Sequence, residues 1–501
     1  MGLFVAVVAI CLAAFLLRIL HSILFSPLRH IPGPFWARFT NLWRLIDHYN
    51  ATQIITQRHL HEKHGPAVRI GPNAVSLSDP HLIKTVYSTR GNFLKSDFYS
   101  VNDVVQDGHT IQNVFGTRSN AFHAKYMKPI QKLYSMKNIL EMEDAISKTI
   151  ILCCEQLELR FVNGMNAGKT CDIADWIAYL SWDVVGEITF SKEMDFLKSG
   201  VDVRDTILTA ESVMHYFGLV GQMPVLDKWL GKNPWSPIKF RTFNNVAGYC
   251  VERLIDRVST SNDSKPPHDF LNSFIEAKAA NPETITDNEV VGYLLLNMLA
   301  GADTTAISQK AIVYQVLKNP SVLAKLVTEI DAANIPFPAT YATTQKLPYL
   351  QAVIKEALRI HPPVGQILER IVPAQGLGLP DGREIPSGTI VGMNPWVVTR
   401  NKEIYGEDVE LFRPERWLKG EDETEDIAEA RLKIMKDLDF AFGGGNRICT
   451  GKNLALAEMS KVTATLFGRY EMKLVKQDWK VHYWWFVFTD KIKIKLSRRN
   501  L

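Results

Sequence analysis

The chain has 501 residues, of which 46% are hydrophobic and 22% are charged, and this is an ordinary composition for a globular protein. Its formal net charge of +4 is too small to argue for a protein that binds nucleic acid. The six cysteines include no C-x-x-C pair, so the sequence indicates no zinc site, and their low number favours a reducing compartment over a disulfide-bonded scaffold.

The first 25 residues form an apolar run that predicts a membrane anchor. Residues 3–17 carry no charge, and the whole run is about as long as a membrane-spanning helix, roughly 20 residues. A cleaved signal peptide is the alternative. No positive residue precedes the run and no clear small-x-small site follows it, which favours an uncleaved anchor. Arg29, His30 and Arg38 come next, and they predict that the rest of the chain is cytosolic.

A proline-rich segment separates this run from the rest of the chain. Ile31-Pro32-Gly33-Pro34 cannot continue a helix, so residues 26–40 are predicted to be a stiff hinge. Residues 41–501 contain no convincing linker and are predicted to form one α-rich body with small β-sheets. Glycosylation of the sequons at Asn50 or Asn262 would contradict a cytosolic body.

Local signals place several elements in this body. Short alternating segments on either side of Gly71-Pro72-Asn73 predict a hairpin. Thr286-Asp-Asn-Glu289 is a capping box, and it predicts the start of a long apolar helix that covers about residues 290–317. Pro348 predicts the first turn of another helix, and Pro362-Pro363 predict its end.

The long apolar helix contains Ala300-Gly301-Ala302-Asp303-Thr304-Thr305. An acid beside a hydroxyl is costly in such a helix unless both are hydrogen-bonded. The pair is either a satisfied polar feature of a helix kink or a group that transfers protons, and the hexapeptide alone does not decide between them.

A glycine-rich stretch, Phe442-Gly-Gly-Gly445-Asn-Arg447-Ile-Cys449-Thr-Gly451, places one cysteine just before a helical pattern. Glycines let the backbone approach a flat ligand, and the amides that start the helix are expected to lower the pKa of the thiol. Arg447 offers a permanent cation to a carboxylate. The alternative is a strand-to-helix turn with a buried cysteine.

This stretch resembles the haem-binding motif of the cytochrome P450 family, F-x-x-G-x-R-x-C-x-G, at every position. The resemblance implies the α-rich, triangular fold of that family and haem b as cofactor. It implies that the Cys449 thiolate is the axial ligand of the haem iron. It also implies that Phe442, Gly445, Arg447 and Gly451 belong to the cofactor site.

The hexapeptide around Asp303 resembles the oxygen-activation motif of the same family. By that resemblance the helix opens locally over the distal face of the haem. Thr304 is then expected to hydrogen-bond the bound dioxygen, and Asp303 to relay protons to it, because O–O cleavage needs protons at the distal oxygen.

Glu356-Ala-Leu-Arg359 matches the ExxR motif of the family, although an exposed ion pair at i,i+3 is the plain alternative. The later stretch Phe412-Arg-Pro414-Glu-Arg416-Trp417 resembles the P-x-R-F segment, with Trp417 in place of phenylalanine. The resemblance implies that Glu356, Arg359 and Arg416 form a buried structural triad.

Haem propionates need positively charged partners in addition to the arginine of the cysteine motif. Arg370 matches the family position in a strand after the ExxR helix, and His123 matches the first position of the W/H-x-x-x-R pattern. Met127 stands where that pattern has arginine, and Lys125 or Lys128 is expected to replace it. A solvated helix face is the alternative for His123.

The substrate pocket is expected to be mainly aromatic and aliphatic, which indicates a lipophilic substrate such as a terpenoid, polyketide, alkaloid or fatty acid. By position, it is lined by residues 98–116, 214–223, 295–304, 364–367 and 484–486.

The anchor and hinge resemble the microsomal members of the family, and the segment from Asn394 to Asn401 resembles its fungal members. The resemblance implies a single-pass protein of the endoplasmic reticulum membrane. It implies a monooxygenase that transfers one atom of O2 to a secondary metabolite, with NADPH electrons from a separate cytochrome P450 reductase, with or without cytochrome b5. Basic residues are expected to dock the reductase, with Lys128, Lys433, Lys436 and Lys452 as candidates.

Two alternatives use the same cofactor differently. A haem-thiolate isomerase or dehydratase would rearrange a peroxide without O2 or a reductase, and it would have little use for Asp303 and Thr304. A non-catalytic haem-thiolate sensor would need neither a proton relay nor a reductase surface.

Overall fold

The computed structural model describes residues 22–106, 109–164, 167–233, 235–238, 240–260 and 266–500, together with separate positions among the first 20. The predicted anchor, residues 1–25, lies mainly outside the described residues and stays a prediction, and Asn262 lies outside them as well. Within the described part of the chain, Asp287–Lys318 is the one helix with the length and hydropathy of a membrane span. Half of its apolar window is buried inside the body, as in a core helix.

Helices dominate the fold, as predicted. They are α1 (Leu42–Tyr49), α2 (Gln53–His64), α3 (Ile83–Val86), α4 (Asn120–Met127), α5 (Met136–Glu141), α6 (Glu143–Leu157), α7 (Ile173–Phe190), α8 (Phe196–Ser199), α9 (Thr206–Val220), α10 (Val225–Trp229), α11 (Asn244–Thr260), α12 (Phe270–Ala280), α13 (Asp287–Lys318), α14 (Pro320–Ala333), α15 (Tyr341–Thr344), α16 (Pro348–Ile360), α17 (Pro395–Val398), α18 (Lys402–Tyr405), α19 (Glu425–Asp437) and α20 (Lys452–Arg469).

The strands are short and form small sheets. They are β1 (Ala67–Gly71), β2 (Ala74–Leu77), β3 (Leu94–Lys95), β4 (Val104–Gln106), β5 (His109–Ile111), β6 (Thr170–Asp172), β7 (Arg370–Ile371), β8 (Leu377–Gly378), β9 (Glu384–Ile385), β10 (Ile390–Met393), β11 (Tyr470–Leu474), β12 (Val481–Tyr483), β13 (Val487–Thr489) and β14 (Lys493–Arg498).

The largest sheet has the strand order β1-β2-β10-β7-β3, and it is antiparallel apart from the parallel pair β2–β10. A second sheet has the order β11-β14-β6, and three hairpins pair β4 with β5, β8 with β9 and β12 with β13. The predicted hairpin around Gly71-Pro72-Asn73 is confirmed as β1–β2.

Helix α13 crosses the core and packs against α7, α11, α12, α16 and α20. Its start is confirmed, because Thr286 and Glu289 form the reciprocal capping box that the sequence predicts. Pro348 is likewise the first residue of α16, and the helix ends at Ile360, just before the two prolines. These helices carry the acid–hydroxyl pair and the ExxR residues, so the core itself fixes their positions.

The predicted hinge lies against the largest sheet. Ile31 is fully buried, and the carbonyl of Pro32 accepts a hydrogen bond from the amide of Arg69 in β1 at 2.7 Å. A side chain at Gly33 would lie 2.1 Å from the Arg69 carbonyl oxygen, so only glycine fits there. The segment is therefore attached to the body along this strand.

Candidate functional site

The cysteine loop is folded back on itself just before α20. The amide of Cys449 donates to the carbonyl of Phe442 at 3.0 Å, and α20 begins at Lys452. Gly445 has a φ of 64° and lies so close to Tyr87 that a Cβ would be 1.7 Å from the Tyr87 carbonyl oxygen. At Gly451 a Cβ would contact no protein atom within 4 Å, so this glycine leaves open space beside the cysteine.

Cys449 is exposed to solvent, although many protein atoms lie around its thiol. Burial raises the pKa of the Cys449 thiol, whereas backbone hydrogen bonds near Gly451 and Lys452 lower it. The sequence predicted a lowering by the amides of the following helix. The helix amides act in that direction, but in the protein alone the desolvation of the thiol is the larger effect.

Two basic residues lie directly opposite each other on neighbouring strands of the largest sheet. Lys95 in β3 is paired with Arg370 in β7, and both side chains are buried. Burial, followed by the charges of Arg370 and Arg447, holds the pKa of Lys95 well below its usual value. Like charges directly opposite each other destabilise a sheet, so this pair is poised to accept a negatively charged partner.

Arg447 and the neutral His123 complete this group of basic residues. Arg447 donates to the carbonyls of Thr117 and Ser119 at 3.2 and 3.1 Å, which ties the cysteine loop to the start of α4. His123 lies in the second turn of that helix. Burial and the neighbouring charges of Arg447 and Lys95 lower the pKa of His123 to about 4, so its imidazole is neutral at physiological pH.

Lys125 and Lys128, the expected replacements for the missing arginine of α4, do not belong to this group of basic residues. Met127 is buried, whereas Lys125 and Lys128 are exposed. The Lys125 ammonium lies 5.2 Å from the ring centre of its neighbour Tyr126. Lys95, which no sequence pattern indicated, is instead the lysine that lies near Arg370 and Arg447.

A haem offers an iron atom for a thiolate and two propionate carboxylates for cations, and the residues present fit both requirements. Cys449 supplies the thiol. The cation cluster, which consists of Lys95, Arg370 and Arg447 with the neutral His123 beside it, supplies the partners for the carboxylates. Within the described residues, no carboxylate lies within ion-pair distance of any of the four.

The acid–hydroxyl pair lies in the middle of α13. Asp303 is 5% exposed, and its Oδ1 accepts a hydrogen bond from the indole Nε1 of Trp182 in α7 at 3.1 Å. Burial raises the pKa of Asp303 to about 7, against the lowering effects of the Trp182 hydrogen bond and the charge of Lys310. An acid with this pKa can both give and take a proton near neutral pH.

The hydroxyl of Thr304 donates to the carbonyl of Ala300 at 2.7 Å, and that of Ser308 donates to the carbonyl of Thr304 at 2.8 Å. The helix is continuous through this region, so the expected local opening is absent from α13. Both hydroxyls instead bond to the preceding turn, which satisfies them without breaking the helix.

Glu356 lies at the centre of a buried network between α16 and the segment around Arg416. Arg359 makes two bonds to its carboxylate, each of 2.8 Å, and Arg416 Nε lies 2.9 Å from Oε1. Trp417 Nε1 donates to the other oxygen at 2.9 Å. Burial alone would raise the pKa of Glu356, but these hydrogen bonds and charges hold it below its usual value.

An aromatic cluster lies on the Thr304 side of α13. Ile307, one turn after Thr304, packs in it, and four of the five predicted pocket stretches contribute residues. Trp485 is central, because its ring centre lies 4.8 Å from that of Phe217 and 5.4 Å from that of Phe98. The buried members are Phe98, Tyr99, Met214, Phe217, Ile307, Trp485, Phe486 and Phe488.

Two contributors to the site had no recognisable sequence signal. Lys95 depends on the register between β3 and β7, strands of two residues each, which no periodicity reveals. Trp182 depends on the packing of α7 against α13. In the sequence, Trp182 is one apolar residue among many in a helix that the structure buries almost completely.

Comparison with known proteins agrees with this geometry. The model of the family described as "Cytochrome P450" matches residues 31–496. A cytochrome P450 monooxygenase of Aspergillus candidus, cfoH, is 35% identical over 98% of this chain and 92% of its own length. A cytochrome P450 monooxygenase of Aspergillus terreus is 39% identical over 93% of this chain and 94% of its own, and cicH of Emericella nidulans is 37% identical over 94% of both. With this coverage, and with the thiol and the cation cluster in place, the chain belongs to the cytochrome P450 monooxygenase family.

Proposed function

We propose that this enzyme inserts one oxygen atom from O2 into a lipophilic small molecule, using NADPH electrons that a separate reductase delivers. The observation that carries the proposal is the buried Asp303, with a pKa of about 7, next to Thr304 in a chain that also holds Cys449 beside a cation cluster. A proton donor at that position is what oxygen activation requires, and a protein that only binds haem does not need it.

The cofactor would be haem b, and when bound it supplies the oxygen chemistry. The Cys449 thiolate would hold its iron. Lys95, Arg370 and Arg447 would pair with the propionates, and binding would relieve the repulsion among these basic side chains. His123, neutral in its present surroundings, would donate an N–H hydrogen bond.

Protons would reach the reacting oxygen through Asp303 and Thr304. Thr304 would exchange its bond to the Ala300 carbonyl for one directed into the site. Asp303 would return a proton to the Thr304 hydroxyl. Charged neighbours of Asp303, among them Lys310 and Glu211, would then return a proton to the Asp303 carboxylate. A carboxyl with a pKa near the working pH does this in both directions at low cost.

The substrate would bind against the aromatic cluster. Its rings and Ile307 form an apolar wall, which favours a lipophilic secondary metabolite such as a terpenoid, a polyketide, an alkaloid or a fatty acid. Such a wall also excludes water, so that protons reach the reacting oxygen from Asp303 and not from bulk solvent.

Residues 1–25 would anchor the protein in the endoplasmic reticulum membrane, residues 26–40 would form the hinge, and residues 41–501 would form the cytosolic catalytic domain. NADPH–cytochrome P450 reductase, with or without cytochrome b5, would dock on basic residues. Lys128, Lys433 and Lys436 are exposed, and Lys452 lies 5.2 Å from the ring centre of Phe442 in the cysteine loop.

Thr304→Ala in the haem-loaded enzyme with reductase tests the proposal. The wild type should consume NADPH and form product from a probe compound selected by its shift of the Soret band. Thr304→Ala should consume NADPH but release peroxide in place of most of the product. Ser308→Ala is the matched control, since it removes the next hydroxyl that bonds back to the same helix. Unchanged product formation in Thr304→Ala would show that the relay assignment is wrong.

The same assay separates the alternatives. An isomerase or dehydratase would convert a peroxide substrate without NADPH, and a sensor would show no turnover with the reductase. Asp303 and Thr304 favour the monooxygenase over both, because neither alternative has a use for a buried acid with a pKa near neutrality.

A further inference from the structure

The two oxygens of Asp303 have different surroundings. Oδ1 accepts the hydrogen bond from Trp182 Nε1, whereas Oδ2 is buried and has no hydrogen-bond partner among the described residues. A buried carboxylate oxygen without a partner is costly, so an isolated structural acid would not be expected to keep one. The arrangement suits a carboxyl that is held by one oxygen and carries its proton on the other.

Trp182 is well suited to hold that oxygen, because a second segment also packs against its ring. Its side chain is fully buried, and its ring centre lies 5.9 Å from that of Phe196. The neighbouring carboxylate of Asp183 accepts hydrogen bonds from the amides of Met194, Phe196 and Leu197. The segment that carries Phe196 is thus attached to α7, and it gives the indole a packing partner in addition to α13.

The electrostatic neighbours of Asp303 come from several elements. Burial raises its pKa, the Trp182 hydrogen bond and the charge of Lys310 in α13 lower it, and the charges of Glu211 in α9 and Asp202 raise it. Trp182 is the one group among them that makes a direct hydrogen bond to the carboxyl. A hydrogen bond to the charged form favours that form, so loss of the indole N–H should leave the acid harder to ionise.

We propose that Trp182 is a positioning residue for oxygen activation: its indole N–H holds Asp303 by Oδ1 and leaves Oδ2 as the oxygen that exchanges the proton. The proposal rests on the relay role of Asp303 given above. Trp182 touches neither cofactor nor substrate in this scheme, and it acts only through the carboxyl of Asp303.

Infrared difference spectroscopy of the haem-loaded protein tests this without turnover. The C=O stretch of a protonated buried carboxyl, assigned by its loss in Asp303→Asn, should titrate in the wild type with a midpoint at about pH 7. In Trp182→Phe the midpoint should rise by about one pH unit or more, because hydrogen bonds to charged groups are worth roughly one to two pKa units.

Trp176→Phe is the matched control. Trp176 lies in the same helix and is buried, but it packs against Tyr179 and Arg160 and makes no described hydrogen bond to an acid. Its substitution should leave the midpoint at the wild-type value. If Trp182→Phe fails to fold, a benzothienylalanine at position 182 keeps the bicyclic shape, lacks the N–H and should give the same rise. An unchanged midpoint in the N–H-free variant would overturn the proposal.

A double-mutant cycle separates positioning from packing. Trp182→Phe should lower the product formed per NADPH several-fold in the wild type, and it should have no further effect in Asp303→Asn. Additive losses would show that Trp182 acts independently of the acid and would refute the inference. A different result would contradict the proposed function, namely a wild-type enzyme that consumes no NADPH with the reductase. The infrared midpoints could still be measured in that case, so the two failures are distinguishable.

Discussion

The indole nitrogen of Trp417 lies 2.9 Å from Oε2 of Glu356, and this hydrogen bond gives the tryptophan a role that phenylalanine could not fill. The pattern that this segment resembles has phenylalanine there. In this chain the aromatic residue also donates to the carboxylate on which Arg359 and Arg416 converge. The network therefore has one more donor than the motif itself specifies.

Trp417→Phe should lower the free energy of unfolding by about 1.5–3 kcal/mol, the range for a hydrogen bond to a charged group, and should leave haem binding intact. Urea denaturation checks the stability, and haem content per chain checks the binding. Trp235→Phe is the control, because Trp235 is 90% exposed. Equal stability of Trp417→Phe and the wild type would mean that the indole bond contributes nothing.

Removing a charged member of the network should have a larger effect. Arg416→Ala leaves the buried Glu356 without one of its two cations, which should cost about 3–5 kcal/mol and yield protein without haem. Arg413→Ala is a close control, since its side chain pairs with Asp408 near the surface and only its backbone amide reaches Glu356. Normal haem content in Arg416→Ala would refute the structural role of this arginine.

Lys95→Met should separate haem binding from folding. The substitution removes a buried cation that lies opposite Arg370, so the haem-free protein should be as stable as the wild type or more stable. The affinity for haem should fall about tenfold or more, because one charge-assisted contact to a propionate is lost. Haem titration monitored at the Soret band, with exposed Lys125→Met as control, measures this. Unchanged affinity would remove Lys95 from the haem site.

Glu458 in α20 should make stability depend on pH. It is 1% exposed, and burial raises its pKa to about 8, although hydrogen bonds from Ser181 and Gln309 lower it. The folded protein thus binds this proton more tightly than the unfolded chain, whose glutamate has a pKa near 4.5. The stabilisation is complete below about pH 4.5 and is lost as the pH rises to about 8.

Glu458→Gln cannot lose a proton, so it should gain stability relative to the wild type as the pH rises from about 5 to about 9. The gain should reach a few kilocalories per mole, since each pKa unit corresponds to about 1.4 kcal/mol. Urea midpoints of both proteins at the two pH values provide the test. A constant difference between them across this range would argue against a neutral Glu458 in the folded protein.

Features set by local chemistry were predictable from the sequence. The capping box at Thr286 and the proline at position 348 fix helix starts through interactions within a few residues, so both starts could be read directly. The cysteine loop was equally readable, because Gly445 and Cys449 lie within one short segment.

Features set by packing between distant segments were not predictable. The pairing of Lys95 with Arg370 and the bond from Trp182 to Asp303 join residues that are 275 and 121 positions apart in the chain. The sequence shows the helix amides that lower the pKa of the Cys449 thiol, but not the burial that raises it.

Whether Cys449 supplies a thiolate to haem iron is measured by the difference spectrum of the dithionite-reduced, carbon monoxide-bound protein. The wild type should show the strongly red-shifted Soret band of thiolate-ligated haem, and Cys449→Ser should lose it. A wild-type band at the position typical of histidine-ligated haem, or the absence of bound haem, would contradict the assignment of Cys449 and with it the oxygenase function.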